Sequence, residues 1–512
     1  MKPQIVSAQE AVKIIKDSQT LAIGGAGAGH AVPDGLMEAL GKRYQESNYP
    51  KSLKIIHPCG LGENNQRGLN HLALDGLVET TIGGFWGNAP KMVTLAQQEK
   101  IKGYNLPQGV LAHLMRATAG GEPGMISKTG LHSFVDPRLE GGKINKSTTE
   151  DVVKVVEVEG EEFLYYKTHP IDVAFIRGTS IDAEGNLTME EEVGTFSMFS
   201  LAQAAKVNGG TVIAQVKKHL VDQHAKPCTV KVPGVLIDYV VIEPHQSMTF
   251  ITDFEKAMVD RTAPFDQDQL QLEGIKKIIA RRAALELKAG NFVNLGYGMP
   301  DGVPIVARQS NQLDKITFMI EQGQIDGAIT TGLNFGAMYN PTAIVDDGYQ
   351  FDQFHGGILD ICFLGFAQVD QEGNVNSSRF GKFLTGCGGF IDISQNTRKV
   401  VFCGAFSAKS EIEISHTGIS IIDPGKHKKF LQQVEQVTFS GSYSKRKKQQ
   451  VLIITERAVF ELNEQGLVLK EIAPGVDLEK DVLDMMDFQP LMAKEVKSMP
   501  EEIFGEGFQL RL

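Results

Sequence analysis

Asp172-Val173-Ala174-Phe175-Ile176, followed by Asp182-Ala183-Glu184-Gly185-Asn186, returns later as Asp360-Ile361-Cys362-Phe363-Leu364 and Asp370-Gln371-Glu372-Gly373-Asn374. Both segments are displaced by the same 188 residues, Asp172 to Asp360 and Asp182 to Asp370. In each copy a short apolar run bounded by turn residues reads as a buried strand. Gly and Asn then supply the permissive backbone of a hairpin-like turn. A second correspondence pairs Gly27-Ala28-Gly29-His30-Ala31-Val32-Pro33-Asp34-Gly35 with Gly296-Tyr297-Gly298-Met299-Pro300-Asp301-Gly302, with a two-residue gap. Repetition on this scale implies two related open α/β domains in one chain. The polar, weakly periodic stretch between them places an N-terminal domain at 1–250, a linker at 251–271 and a C-terminal domain at 272–512.

Length and composition agree with that division. A chain of 512 residues is too long for one hydrophobic core. Its 42% hydrophobic and 22% charged content is ordinary for a globular protein. A net charge of −11 argues against nucleic acid or an anionic membrane as the main partner, whereas a small anionic ligand needs only a local patch. The cysteines Cys59, Cys228, Cys362, Cys387 and Cys403 are scattered and form no CxxC pair, so neither a disulfide framework nor a zinc knuckle is expected. The first residues lack the apolar core of a signal peptide, and no run approaches the ~20 apolar residues of a membrane span, so a cytoplasmic protein is expected.

In the first half, Ser7 and Glu10 form the signature of a capping box opening a helix over 8–17. Leu21-Ala22-Ile23 reads as a buried strand running into Gly24-Gly25-Ala26-Gly27-Ala28-Gly29-His30. A helix with Pro33 in its first turn follows. Strand, glycine turn and helix suit either a phosphate cradle or a tight structural turn. Gln108 stands near the start of a helix over 110–117, either where backbone N–H groups favour anions or simply as a cap. Residues 119–147 read as a long surface excursion, and the chain from about 480 as helical and polar.

In the second half a helix runs from Leu272 to about Leu287, with Leu272, Ile275, Ile278 and Ile279 at helical spacing. The strand Asn291–Leu295 then enters the turn Gly296-Tyr297-Gly298-Met299-Pro300. The stretch Thr317-Phe318-Met319-Ile320-Glu321-Gln322-Gly323-Gln324-Ile325 carries apolar, strand-like residues straight into a carboxylate. An ionised carboxylate is costly to desolvate, and α/β proteins place ligands at the carboxyl edge of their sheets. Glu321 is therefore either a covalent nucleophile or a solvated strand end. Cys387, within Gly386-Cys387-Gly388-Gly389-Phe390-Ile391-Asp392, is either a thiol nucleophile or inert packing.

Taken together, Asn294-Leu295-Gly296-Tyr297-Gly298-Met299-Pro300, Glu321-Gln322-Gly323, Gly386-Cys387-Gly388-Gly389-Phe390-Ile391-Asp392-Ile393, Pro107-Gln108-Gly109 and Thr455-Glu456-Arg457-Ala458-Val459-Phe460 resemble the family I coenzyme A transferases. The likeness is strongest to the single-chain acetate or propionate CoA-transferases and covers nearly the whole chain. One position departs from the family pattern: Gln322 stands where Asn or Thr is frequent. The resemblance implies two α/β domains and ping-pong transfer of CoA from a short-chain acyl-CoA to a carboxylate such as acetate. By the same resemblance Glu321 is the nucleophile and carries a glutamyl-CoA thioester, and Gln108 contacts the acyl group. Gly296, Tyr297, Gly298, Met299, Gly386, Gly388 and Gly389 line the CoA-binding and oxyanion region. It further implies coenzyme A and acyl-CoA as substrates, no tightly bound cofactor, no metal, and a homo-oligomer, dimer or tetramer. Acyl-CoA hydrolysis, a non-catalytic sensor or subunit on the same scaffold, and a dinucleotide oxidoreductase using Gly24–Gly29 stay open as alternatives.

Overall fold

The computed structural model describes residues 2–266 and 271–512; residues 267–270, inside the expected linker, lie outside the described residues. The chain is α/β, with two large sheets. Of the ten strands of the first, eight form its main path: β1 (Gln4–Ile5), β2 (Thr20–Ile23), β3 (Leu53–His57), β4 (Val78–Gly83), β5 (Lys102–Asn105), β6 (Val173–Ile181), β7 (Thr211–His219) and β8 (Tyr239–Ile242). They lie in the order β1-β8-β7-β6-β2-β3-β4-β5, and the neighbouring pairs are parallel. The second sheet contains β9 (Phe292–Leu295), β10 (Thr317–Phe318), β11 (Ile361–Gly365), β12 (Lys399–Cys403), β13 (Gln450–Ile454), β14 (Ala458–Asn463), β15 (Gly466–Ile472) and β16 (Leu491–Ser498). Its order is β10-β9-β11-β12-β13-β14-β15-β16.

The repeat read from sequence is a repeat of topology. Strand order β8-β7-β6-β2-β3 in the first sheet matches β13-β12-β11-β9-β10 in the second. Register matches as well: Val173 lies opposite Leu21 and Thr211, and Ile361 opposite Val293 and Lys399. Even side-chain devices recur. The Asp172 carboxylate accepts the Thr20 N–H at 2.7 Å, and the Asp360 carboxylate accepts that of Phe292 at 3.0 Å. Asp182 takes the N–H groups of Glu184 and Asn186, and Asp370 those of Glu372 and Asn374. Each aspartate thus satisfies turn donors that would otherwise be orphaned.

Helix α1 (Asp34–Ser47) turns Leu36, Met37 and Leu40 onto a buried cluster with Leu21, Ile23, Leu53, Ile55, Val173 and Phe175. The strand residues alternate, as a pleat requires. The first glycine turn is built against protein: a Cβ on Gly24 would fall 2.4 Å from Met198 Sδ, and one on Gly29 would fall 2.5 Å from Phe250. At Gly24 and Gly29 the absent Cβ is a packing requirement of the turn.

Packing divides the molecule differently from chain order. One compact unit comprises Met1–Pro264, Ile320–Asp352 and Leu384–Asp392; the other comprises Phe265–Met319, Gln353–Phe383 and Ile393–Leu512. Glu321 and the Gly386–Gly389 turn therefore pack within the unit that also holds the first sheet.

Three expectations are corrected. The first helix is one α-turn, Ala8–Ala11, and a 3₁₀ turn, Val12–Ile14, although the Ser7–Glu10 capping box forms as read. Residues 119–147 are not a surface excursion throughout: Leu131, Phe134, Val135 and Asp136 are buried. The chain after 480 is helical only in short turns, among them Leu483–Met485 and Glu501–Ile503, and supplies the largely exposed edge strand β16. Among the described residues no helix is long and apolar enough to cross a membrane.

Candidate active site

The second sheet lets go of the chain just before Glu321. Strand β10 ends at Phe318, and the Met319 N–H makes one more sheet bond, to Val293 O at 2.9 Å. The buried Asn294 side chain holds the Met319 carbonyl at 2.9 Å. Ile320 N–H then donates to Gln324 O at 3.1 Å, and Gly323 N–H to Ile320 O at 3.0 Å. Glu321 thus sits in a tight turn, not at a strand end as the sequence suggests. Met319 and Ile320 continue the hydrophobic pattern of β10, but only the Met319 N–H still bonds to the sheet.

The turn is clamped. Gln324 Nε2 donates to Met258 O at 2.8 Å, and its Oε1 accepts the Met338 N–H. Gly323 has φ +100°, and a Cβ there would fall 2.1 Å from Val345 O. Only glycine fits that backbone and that approach. Glu321 is held at 9% exposure and Gln322 at 5%. Gln322 Nε2 donates to Glu321 Oε1 at 3.3 Å. The Glu321 charge also acts on Cys59, whose thiol is pushed up to about 12, chiefly by burial.

From Cys59 a contact path leads to the other predicted residues of this unit. A Cβ on Gly60 would fall 2.7 Å from the Phe85 ring, and one on Gly388 would fall 3.7 Å from the same ring and 3.9 Å from Gln108 Oε1. The Gly386–Gly389 turn hangs on Asn105, a residue that motif reading passed over. Asn105 Oδ1 accepts the Cys387 N–H at 2.9 Å, while its Nδ2 donates to Gly83 O and Gly84 O. Gly388, at φ +52°, donates its N–H to Gly84 O at 2.8 Å. That N–H is committed to the fold and is not the oxyanion donor expected of a glycine turn. Gly389 is buried beside it. The Cys387 thiol is pushed well above its ordinary range, first by burial and then by Asp392. It is therefore inert packing rather than a thiolate.

Gln108 is the first residue of helix α2 (Gln108–Ala119). The backbone donors there are taken: Gln108 N–H by Gly388 O at 2.9 Å, and Gly109 N–H by the Asp392 carboxylate at 3.1 Å. The helix start is consequently not an anion site. The side chain is another matter. Gln108 is 2% exposed, and its Nε2 has no hydrogen-bond partner among the described residues. An unpaired buried amide donor costs about 1–3 kcal/mol, so a group awaiting a partner is the natural reading.

Gly296, Tyr297, Gly298 and Met299 lie in the other unit, in the turn after β9. There Gly298 N–H donates to the Asp301 carboxylate at 3.2 Å, and Tyr297 is 62% exposed.

Behind the Glu321 turn lies a strained wall. Phe196 and Ser197 have φ +45° and +56°, uncommon for residues with a Cβ. Two adjacent acids pin them: Thr195 Oγ1 donates to Asp346 and Ser197 Oγ to Asp347, each at 2.8 Å. Burial first, and then Asp346, push the Asp347 carboxyl up to about 8. A folded-state pKa raised in this way contributes stability that is complete below the unfolded value near 4 and is lost as pH rises through about 8. Asp347→Asn, which cannot ionise, is expected to raise the melting temperature by several degrees more at pH 9 than at pH 6. Equal effects at both pH values would contradict this. Asp347 does not stand out in sequence, because the burial that matters arises from distant segments.

Comparison with known proteins follows the same lines. A family model for coenzyme A transferase matches residues 5–243. The chain is 44% identical to acetate CoA-transferase YdiF of Escherichia coli O157:H7 over 507 residues, 98% of this chain and 95% of the relative. It is 42% identical to caffeate CoA-transferase of Acetobacterium woodii, covering 98% of both. The crystal structure of the apoenzyme of the Escherichia coli O157:H7 acyl-CoA transferase YdiF superposes with a TM-score of 0.95 at 43% identity, over 99% of this chain and 98% of that one. A second structure of that protein is a thioester complex with CoA, again at a TM-score of 0.95. With a clamped carboxylate, an unpaired amide and full-length relatives of one activity, the chain belongs to the coenzyme A transferase family and is a CoA-transferase.

Proposed function

We propose that the enzyme moves CoA reversibly from a short-chain acyl-CoA to a carboxylate such as acetate, by a ping-pong route through a glutamyl-CoA thioester on Glu321. The observation that carries this reading is Glu321 itself, 9% exposed and held in a clamped turn with the Gln322 amide on its Oε1. The relatives named for acetate transfer, and the thioester complex of a similar chain with CoA, support it.

The Glu321 carboxylate attacks the thioester carbonyl, forming a mixed anhydride and releasing CoA thiolate. The thiolate then attacks the Glu321 carbonyl and expels the carboxylate product. A second acid runs these steps in reverse, so the thioester energy is retained without ATP. Return of the thiolate must outrun its escape, which needs the high effective molarity of a closed site, ~10⁵ M or more. Gln108 Nε2 is the donor we assign to the developing oxyanion, because it is buried and unpartnered where the Gly388 N–H is not. The glycine turn then acts by leaving room beside Gln108. Gly296, Tyr297, Gly298 and Met299 are assigned to CoA binding, and Gly386 and Gly389 to the wall of the acyl site. In the same proposal 1–250 and 272–512 are two copies of one ancestral domain, joined through 251–271, in a cytoplasmic homo-oligomer.

Initial-rate kinetics with acyl-CoA and acetate test the route: parallel double-reciprocal lines are expected, and intersecting lines would contradict it. Comparing CoA release with and without acetate separates transfer from hydrolysis. Gln108→Ala is expected to lower kcat by ~10²–10³-fold with a smaller change in KM. A change confined to KM would remove Gln108 from the oxyanion role.

A further inference from the structure

Two adjacent acids stand where the Glu321 turn is fastened. After the turn, Gln324 and Ile325 pair antiparallel with Ile344 and Ala343, and the Val345 N–H donates to Gly323 O at 2.9 Å. The next residues are Asp346 and Asp347. On its other side the turn abuts Gly194, where a Cβ would fall 2.9 Å from Gln322 O, so the two backbones are in close contact. Thr195 and Ser197 follow Gly194, and theirs are the hydroxyls that the two acids accept, each at 2.8 Å. The turn is therefore gripped between two segments, which the bonds to Asp346 and Asp347 join.

The grip works against strain and burial. Phe196 and Ser197 keep left-handed φ values, at a cost of about 1–3 kcal/mol each, so this segment relaxes if its anchors let go. Asp347 is 2% exposed. A neutral carboxyl suits that place, accepting from Ser197 Oγ on one oxygen and carrying its proton on the other. An ionised one is a buried charge beside Asp346. It also opposes Glu321, since the charges of Glu321 and Asp347 both act on Cys59. Ionisation favours turning the carboxylate toward water, which breaks the Ser197 bond.

We propose that Asp347 is a positioning residue for Glu321: in its neutral form it pins Ser197 and keeps the nucleophile's turn in place, and its ionisation releases the turn and slows transfer. The other charged and titratable groups around it are Asp346 beside it, Cys59 and Glu321 toward the turn, His30 behind Phe196, and His113 and Arg116 from helix α2. Arg116 is tied to Asp352 at 2.8 Å, and His113 Nε2 donates to Gly348 O at 2.9 Å. Cys59, pushed up to about 12, and His30, held down to about 4, change charge outside the range from pH 7 to pH 9. Burial first, and then Asp346, bring Asp347 up to about 8, so the neutral form and its grip are present at pH 7 and lost as pH rises through that value.

This inference rests on the assignment of Glu321 above. Its test is the ratio of kcat at pH 9 to kcat at pH 7, with acyl-CoA and acetate both saturating. One group titrating near 8, inactive when ionised, gives the wild type a ratio of about 0.1. Asp347→Asn keeps an acceptor for Ser197 and cannot ionise, so its ratio is expected to be near one. Ser197→Ala removes a donor that favours the ionised carboxylate. It is expected to lower kcat with little change in KM and to move the fall in rate to higher pH. A wild-type ratio near one overturns the proposal, and so does an Asp347→Asn enzyme that keeps the wild-type fall. Melting curves at both pH values identify a variant that is not folded; if that is Asp347→Asn, Ser197→Ala decides, and an unmoved fall overturns the proposal. Intact mass separates this inference from its footing. An adduct on Glu321 with no effect of Asp347→Asn on the ratio removes Asp347 alone. The expected ratios without an adduct leave Asp347 governing the turn and remove the covalent reading.

Discussion

Glu321→Ala is expected to lose CoA transfer by a factor on the order of 10⁴–10⁶, the range seen when a covalent nucleophile is removed. The loss is large because no neighbour can take over. Cys59 is close enough to be affected by the Glu321 charge, yet burial holds its thiol near 12. Cys387 is likewise pushed well above its ordinary range by burial, and it sits against Asn105 and Gly84. His30 and His57 are neutral and buried, each held down to about 4. Glu321→Asp tests geometry rather than chemistry. Its carboxylate is one methylene short in a turn that Gly323 and Gln324 prevent from advancing, and a ~1 Å error in placement costs ~10²-fold. A Glu321→Ala enzyme with transfer within ten-fold of wild type would mean that the acyl group is carried elsewhere.

The second large effect is on stability. Arg457→Met is expected to destabilise the fold by about 3–5 kcal/mol, the cost of stranding one member of a buried ion pair. Arg457 and Glu456 are both 0% exposed and in contact at 3.1 Å. The guanidinium also donates to Asp481 O, Ser407 Oγ and Pro424 O, while Glu456 accepts the Phe406 N–H. Burial already raises the Glu456 pKa against the opposing pull of Arg457. Without Arg457 it rises further, so the defect should shrink as pH falls toward the unfolded carboxylate range, where Glu456 is protonated in both states. Thermal unfolding at pH 5 and pH 8 measures both parts. A melting temperature unchanged at pH 8 would show that the pair is not holding these segments. The motif Thr455–Phe460, which helped mark the family in sequence, is thus a structural tie.

How far the sequence could be read depended on the range of the interactions involved. The repeat was legible because strand, aspartate and glycine turn are local patterns, and Asp172 and Asp360 proved to make the same bond. Glu321 was legible because a carboxylate after an apolar run is conspicuous, although its exact setting was not: pairing of β10 stops at Phe318, and only the partner strand determines where. Gln108 was picked out by its motif, yet the anion site read at its helix start is not there, since its backbone N–H and that of Gly109 are consumed by Gly388 and Asp392. Asn105 was illegible as a positioning residue because its partners, Gly83, Gly84 and Cys387, come from distant parts of the chain. The chain after 480 was misread because a polar, largely exposed segment fits an edge strand as well as a helix.

The central claim is that one side chain holds the acyl group and then CoA by covalent bonds. Its most direct test is intact-mass analysis of the wild-type enzyme after incubation with acyl-CoA, followed by peptide mapping of the adduct. A mass increase matching CoA less water, located on Glu321 and absent from Glu321→Ala, is the predicted result; an enzyme that turns over with no adduct, or with one on another residue, would contradict it.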